Sequence, residues 1–170
     1  MLLDIIRRLT NRKVIYYKNI VDFLEDKPAS KWKAYLTKGI KVLSLESGDT
    51  IQDQSLRIVP INKLDLFSSS RNFLSGIDYS MYNSGMNEMI IHYVFTISNF
   101  KRRGLATKLI QIAETDAISK GVTMSKLYIH ENKLNYGFYQ KLGYVYSYNQ
   151  GGEHIRWINP HYIQMMKILK

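Results

Sequence analysis

The chain contains no cysteine. That excludes disulfides, thiolate-ligated metals and a cysteine nucleophile. It has no uninterrupted apolar run of membrane length, and Met1–Thr10 lacks the pattern of a secretory signal, so the expected location is the cytoplasm. No G-x-x-x-x-G-K-[ST] stretch is present, which removes a P-loop, and no G-x-S-x-G stretch, which removes a serine nucleophile elbow. No His, Asp or Glu spacing fits a metal site. Internal repeats, linkers and low-complexity tracts are also missing.

What remains is an ordinary globular composition over 170 residues, with 45% hydrophobic and 22% charged residues, enough for one domain with a real core. The net charge of +10 is unevenly spread. Residues 1–40 carry nine basic and four acidic side chains, residues 41–100 four and six, and residues 101–170 eleven and four. The middle is mildly acidic between two basic ends. Such a balance suits nucleic acid, a polyphosphate ligand or simple solubility.

The stretch from Met89 to Lys120 organises the rest. Met89–Ser98 is an apolar, β-branched and aromatic run that predicts a mostly buried strand. Leu105, Leu109, Ile112, Ala113 and Ala117 recur at helical spacing. Between them lies the basic turn Lys101-Arg102-Arg103-Gly104-Leu105-Ala106. A strand that turns through glycine into a helix leaves the helix's first N–H groups unpaired, and those donors favour an anion. Arg102 and Arg103 beside them point to phosphate or pyrophosphate. A plain strand–helix connection with solvated basic residues would read the same way. The turn lacks the second and third glycines of G-x-G-x-x-G, with Ala106 at the second.

In chain order, Met1–Leu9, Tyr16–Glu25 and Ser30–Lys38 read as helices, the last capped by Ser30 and ended by Gly39. Ile40–Glu46 and Leu56–Ile61 read as strands parted by the turn-rich Ser47–Gln54, and Asn62–Arg71 as a loop. Phe73–Tyr82 predicts a strand joined to the organising strand as an antiparallel hairpin through Asn83-Ser84-Gly85. Beyond the helix, Ser125–His130 is the next strand, by a crossover suited to a βαβ unit. Asn135–Leu142 is a short helix. Tyr144–Tyr148, Glu153–Trp157 and Tyr162–Leu169 are strand-like.

Two motifs resemble those of the GNAT superfamily of N-acetyltransferases. The turn Lys101–Ala106 is similar to [QR]-x-x-G-x-[GA], departing at Lys101. The stretch from Asn132, N-K-L-N-Y-G-F-Y-Q-K-L-G-Y, is similar to a pattern of Asn, Tyr seven positions on, then Lys-x-Gly-Phe/Tyr, with Asn132, Tyr139, Lys141, Gly143 and Tyr144 in place. Asn135 stands where a small residue is usual. Met165–Leu169 looks like the family's last strand. The resemblance covers Phe73–Leu169 within a single expected domain of 1–170. It implies an α/β (α+β) fold with a mixed, mostly antiparallel central sheet flanked by helices. The N-terminal part is atypical and helical, because helices precede the first strand where the family opens with a strand and two helices.

The resemblance further implies direct acetyl transfer from acetyl-CoA to a primary amine, without a metal. Backbone groups of Phe95, Thr96 and Ile97 would pair with the pantetheine amides as an added strand. The N–H groups from Arg103 through Gly104, Leu105 and Ala106 to Thr107 would hold the pyrophosphate, with charge from Lys101, Arg102, Arg103 and Lys108; Asn132 and Tyr139 complete the cofactor set. Tyr139 would be the general acid toward the departing thiolate, although it is one of thirteen tyrosines and would equally serve packing. Glu88, at the entrance of the organising strand, is the candidate general base or else a solvated strand start. His92 and His130 lie on the right strands, where a lone histidine is more often a satisfied core or surface residue. The acceptor is expected to be a cationic amine, drawn by Asp65, Asp78 and Glu88. The expected partners exclude a membrane, and a homodimer is compatible with the sequence. A rival reading, a basic nucleic-acid- or protein-binding module on the same fold, rests on charge and tyrosine content. No zinc-finger, RNA-recognition or basic-zipper signature supports it.

Overall fold

The computed structural model describes residues 33–37, 39–47, 51–59, 73–82, 85, 87–132 and 135–170. The helices expected over Met1–Leu9 and Tyr16–Glu25, the loop 62–71 and Asp65 lie outside the described residues. Within them the chain forms β1 (Lys33–Thr37), β2 (Ile40–Ser47), β3 (Ile51–Val59), β4 (Ser75–Tyr82) and β5 (Glu88–Thr96). A helical turn at Ser98–Phe100 then leads into α1 (Leu105–Ser119). β6 (Met124–His130), α2 (Tyr136–Lys141), β7 (Val145–Tyr146) and β8 (Tyr162–Ile168) follow.

These strands build one eight-stranded sheet in the order β1-β2-β3-β4-β5-β6-β8-β7. Every neighbouring pair is antiparallel except β5 and β6, which run parallel around the α1 crossover. A parallel pair needs such a long connection, so the helix between the two strands dictates their relative direction. The mixed, mostly antiparallel sheet is the architecture expected from the sequence.

The front half departs from expectation. Lys33–Thr37, read as the end of a helix, is a strand paired in register with β2, Thr37 opposite Ile40. Gly39, at φ 79°, sits in the two-residue connection of this hairpin rather than ending a helix. A left-handed residue suits both settings, so its sequence signal is ambiguous. β3 starts at Ile51, well before the expected Leu56, because Asp53–Ser55 pair with Leu45–Ser47 of β2 on one side and Ser80–Asp78 of β4 on the other. Polar residues in that stretch hide a strand whose ladder is satisfied from both edges. Near the C-terminus, Glu153–Trp157 contributes only single bridges, His154 to Tyr148 and Arg156 to Ile163, and β7 shrinks to two residues.

The core lies between the sheet and α1. Leu109, Ala113 and Ala117, one turn apart on the helix, are fully buried with Ile110. They pack with Leu56, Ile58, Ile77, Tyr79, Met81, Met89 and Ile91 from the three central strands. The opposite face of the sheet holds a smaller cluster, Leu43, Val59 and Phe73, against which Phe95 packs.

A polar network ties α1 to the C-terminal strand. Tyr144 donates to Glu114 Oε1 at 2.9 Å, so Ser125 Oγ, 2.7 Å from the same phenolic oxygen, must be the donor to it. Lys167 Nζ reaches the other oxygen of Glu114 at 2.6 Å. Burial and the Glu114 carboxylate both raise the Tyr144 pKa, so the phenol stays protonated and keeps donating. Glu114→Ala strands the Lys167 ammonium and the Tyr144 hydroxyl together. It is expected to lower the unfolding free energy by on the order of 3 kcal/mol, read as a fall in the urea midpoint at unchanged m-value.

Candidate active site

Two neighbouring strands that begin side by side and then part define the site. β5 and β6 pair only from Glu88–Met124 to Ile91–Leu127, although β5 continues to Thr96 and β6 to His130. At the point of parting, β5 carries a bulge. Asp78 faces Tyr93 while the next residue, Tyr79, faces Ile91, which leaves His92 as the extra residue. A bulge bends its strand and increases the local twist, so β5 turns away from β6 directly after the last parallel pair. From His92 onward that edge of β5 pairs with no described strand.

The open edge leads to the N-terminus of α1. Gly104, at φ 76°, is the N-cap residue, and no side chain caps the helix. The first backbone bond into the helix is from Lys108 N–H to Gly104 O at 2.9 Å, so the N–H groups of Leu105, Ala106 and Thr107 remain available for an anion. Arg102 also takes a positive φ, 61°, which few non-glycine residues adopt. A Cβ at Gly104 would meet nothing within 4 Å and would project into open space at the helix end. A cleft of about 310 Å³ lies here, lined by Thr96, Phe100, Lys101, Arg102, Gly104, Leu105, Ala106, Thr107 and Phe138.

The cleft thus gathers one strand residue and most of the turn from the expected cofactor set. Others sit elsewhere. Arg103 lays its guanidinium over the Phe100 ring, 4.8 Å from the centroid, at the rim. Lys108 lines a second recess of about 510 Å³ on the outer side of α1, with Thr37, Gln111 and Asp116. Phe95 turns toward the opposite sheet face, its ring 5.7 Å from the guanidinium of buried Arg57. Ile97 is exposed, and its N–H bonds Leu74 O at 3.0 Å. Asn132 is exposed and gives its N–H to His130 Nδ1 at 3.3 Å. Phe100 and Phe138 escaped the sequence reading, although each is adjacent to a residue it singled out.

Tyr139 is one position beyond Phe138 on α2 and is buried. Its ring meets Phe138 and Tyr144 edge-on, with centroids 5.0 and 6.0 Å away. Burial raises its pKa, so the phenol is protonated at neutral pH.

Glu88 does not join this assembly. It pairs with Lys126 on β6 and lies at the opposite end of β5 from Thr96, about 26 Å away at the rise of an extended strand. Asp78 is likewise committed: Arg57 Nη2 contacts its Oδ1 at 2.7 Å and Ser55 Oγ donates to the same oxygen at 2.8 Å. Among the described residues no group of three or more His, Cys, Asp and Glu side chains is arranged for a metal, and no helix is long and apolar enough to cross a membrane.

Residues 71–144 match the family model of the acetyltransferase (GNAT) family. The match takes in the fork, the turn, α1, β6 and α2. Solved structures share the fold at low identity. PaiA N-acetyltransferase of Thermoplasma acidophilum, in complex with coenzyme A, is 16% identical with a TM-score of 0.50; the alignment covers 68% of this chain and 60% of that one. An acetyltransferase of Bacillus cereus is 17% identical, with a TM-score of 0.52 over 70% and 74% of the two chains. An aminoglycoside 6'-N-acetyltransferase complexed with coenzyme A is 15% identical, with a TM-score of 0.51 over 69% and 73%. No curated protein matches the chain by sequence.

The donor set fits a pyrophosphate: free helix N–H groups, two cationic side chains and a position without Cβ facing the cleft. Gly104→Val puts a β-branched side chain into that space and into a left-handed conformation that costs roughly 1–2 kcal/mol. The variant is expected to melt a few degrees lower and to lose at least about tenfold in coenzyme A affinity by calorimetry, a fall of about 1.4 kcal/mol in binding free energy. Unchanged affinity in the folded variant would remove the turn from the site.

Proposed function

We propose that the protein is an N-acetyltransferase that uses acetyl-CoA and passes the acetyl group directly to a primary amine. The fork between β5 and β6, opening onto the uncapped end of α1, carries this reading. Acetyl-CoA supplies an activated acyl thioester. The N–H groups of Leu105 to Thr107 bind its pyrophosphate, and Lys101 and Arg102 neutralise the charge. The unpaired edge of β5 up to Thr96 orients the pantetheine arm as an added strand. Phe100 and Phe138 exclude water from the cleft walls.

Tyr139 holds the proton that the departing thiolate needs. Its burial keeps the phenol neutral, and its place beside Phe138 puts it next to the cleft wall. Tyr139→Phe removes this proton while keeping the ring's packing. Single-turnover transfer is expected to slow by about a hundredfold or more at unchanged coenzyme A affinity, the usual range for a general acid or base. A rate within about twofold of the parent takes Tyr139 out of the chemistry.

The acceptor side favours a cation. Asp78 and Glu88 are neutralised by Arg57 and Lys126, whereas Asp53 forms no ion pair among the described residues. A carboxylate on the face of the sheet opposite α1 attracts an ammonium group. In a panel of polyamines, lysine-containing peptides, aminoglycosides and acidic amino acids, thiol release is expected from the cationic amines and to weaken as salt rises. Preference for acidic amino acids overturns the cationic assignment.

A further inference from the structure

A hydrogen-bonded chain crosses three strands and ends at the apex of the fork. Ser80 Oγ on β4 donates to Asp53 Oδ1 on β3 at 2.7 Å and lies 2.6 Å from His92 Nε2 on β5. A serine hydroxyl has one proton. That proton goes to the carboxylate, which can only accept, so the serine oxygen must receive its second bond from His92. The imidazole therefore carries its proton on Nε2 and has its lone pair on Nδ1. Ser80 is buried and fixes this arrangement, and His92, held by it at Nε2, stays in contact with solvent as a residue. His92 is also the bulged residue at the first position after β5 and β6 part.

We propose that His92 is the general base that deprotonates the acceptor amine through Nδ1, with Ser80 and Asp53 as positioning residues that hold its tautomer and stabilise the imidazolium. This rests on the acetyl-transfer reading and names the group that reading leaves open. His92 Nδ1 takes one proton from the acceptor ammonium and later releases it to solvent. The freed amine nitrogen bonds to the acyl carbon as the carbon–sulfur bond breaks. The thiolate takes the phenolic proton of Tyr139, and the second amine proton returns to Tyr139 by way of solvent. The charged groups facing the ring are Asp53 from β3 and Asp78 from β4, the latter paired with Arg57, with Tyr93 next to it in the bulge. Packing of the ring edge that faces Ser80 lowers the imidazole pKa, against the pull of the Asp53 and Asp78 carboxylates.

The test pairs imidazole NMR of the free protein with kinetics. The nitrogen shifts of His92 are expected to report the Nε2–H tautomer. Asp53→Asn is expected to lower the His92 pKa and to move the acidic limb of kcat/KM to lower pH by the same amount. Ser80→Ala is expected to mix the tautomers. His92→Gln is expected to slow transfer about a hundredfold or more and to abolish that limb, with coenzyme A affinity unchanged. An Nδ1–H tautomer, a pKa indifferent to Asp53→Asn, or a His92→Gln rate within about threefold of the parent overturns the proposal. Failure of the unmodified protein to bind coenzyme A overturns the acetyl-transfer reading instead, and the base role with it, whatever tautomer is found.

Discussion

The parting of β5 from β6 after four residue pairs is the constraint on which the site depends. A sheet interior normally satisfies both edges of each strand, because an unpaired backbone N–H or C=O away from water is costly. Here one edge of β5 is released in mid-strand, and the bulge at His92 is the local device that releases it. Among the described residues the strand beyond is held from the β4 side alone, by the register through Ser75–Thr96 and by the Ile97–Leu74 bond. The freed edge of β5 and the uncapped end of α1, joined by the helical turn at Ser98–Phe100, then leave backbone donors and acceptors open on the same side of the fork.

Keeping such a gap open requires rigidity on both banks. On one side α1 presses its Leu109-Ala113-Ala117 stripe onto the central strands, with alanines allowing close approach. On the other, Glu114, Tyr144, Ser125 and Lys167 lock α1 to β6 and to β8. The same helix thus presents its N-terminus to the cleft and anchors its middle in the core.

Charge is handled in the same spirit. On the sheet face away from α1, Arg57 and Asp78 neutralise one another, and Glu88 is matched by Lys126. The acidic middle of the sequence is therefore much less acidic in three dimensions. Among the described acidic residues of that stretch Asp53 is the exception, and its bond from Ser80 leads to the bulged histidine.

The sequence alone determined the elements whose signals are local. The period of α1, the apolar run of β5 and the glycine before the helix each depend on neighbouring residues, and the sheet class was implied by the resemblance that the turn and the Asn132–Tyr144 stretch carry. Signals shared by two structures were undecided at that level. Gly39 suits a helix end or a hairpin, and polar Asp53–Ser55 suits a loop or a strand paired on both edges. Only tertiary structure decided where charges and lone pairs end up. Alternation along β5 cannot reveal that Glu88 is neutralised by Lys126 at the wrong end of the strand. Nor can it reveal that His92 is the extra residue of a bulge, because a bulge is a mismatch of register between two strands and exists only once they are paired.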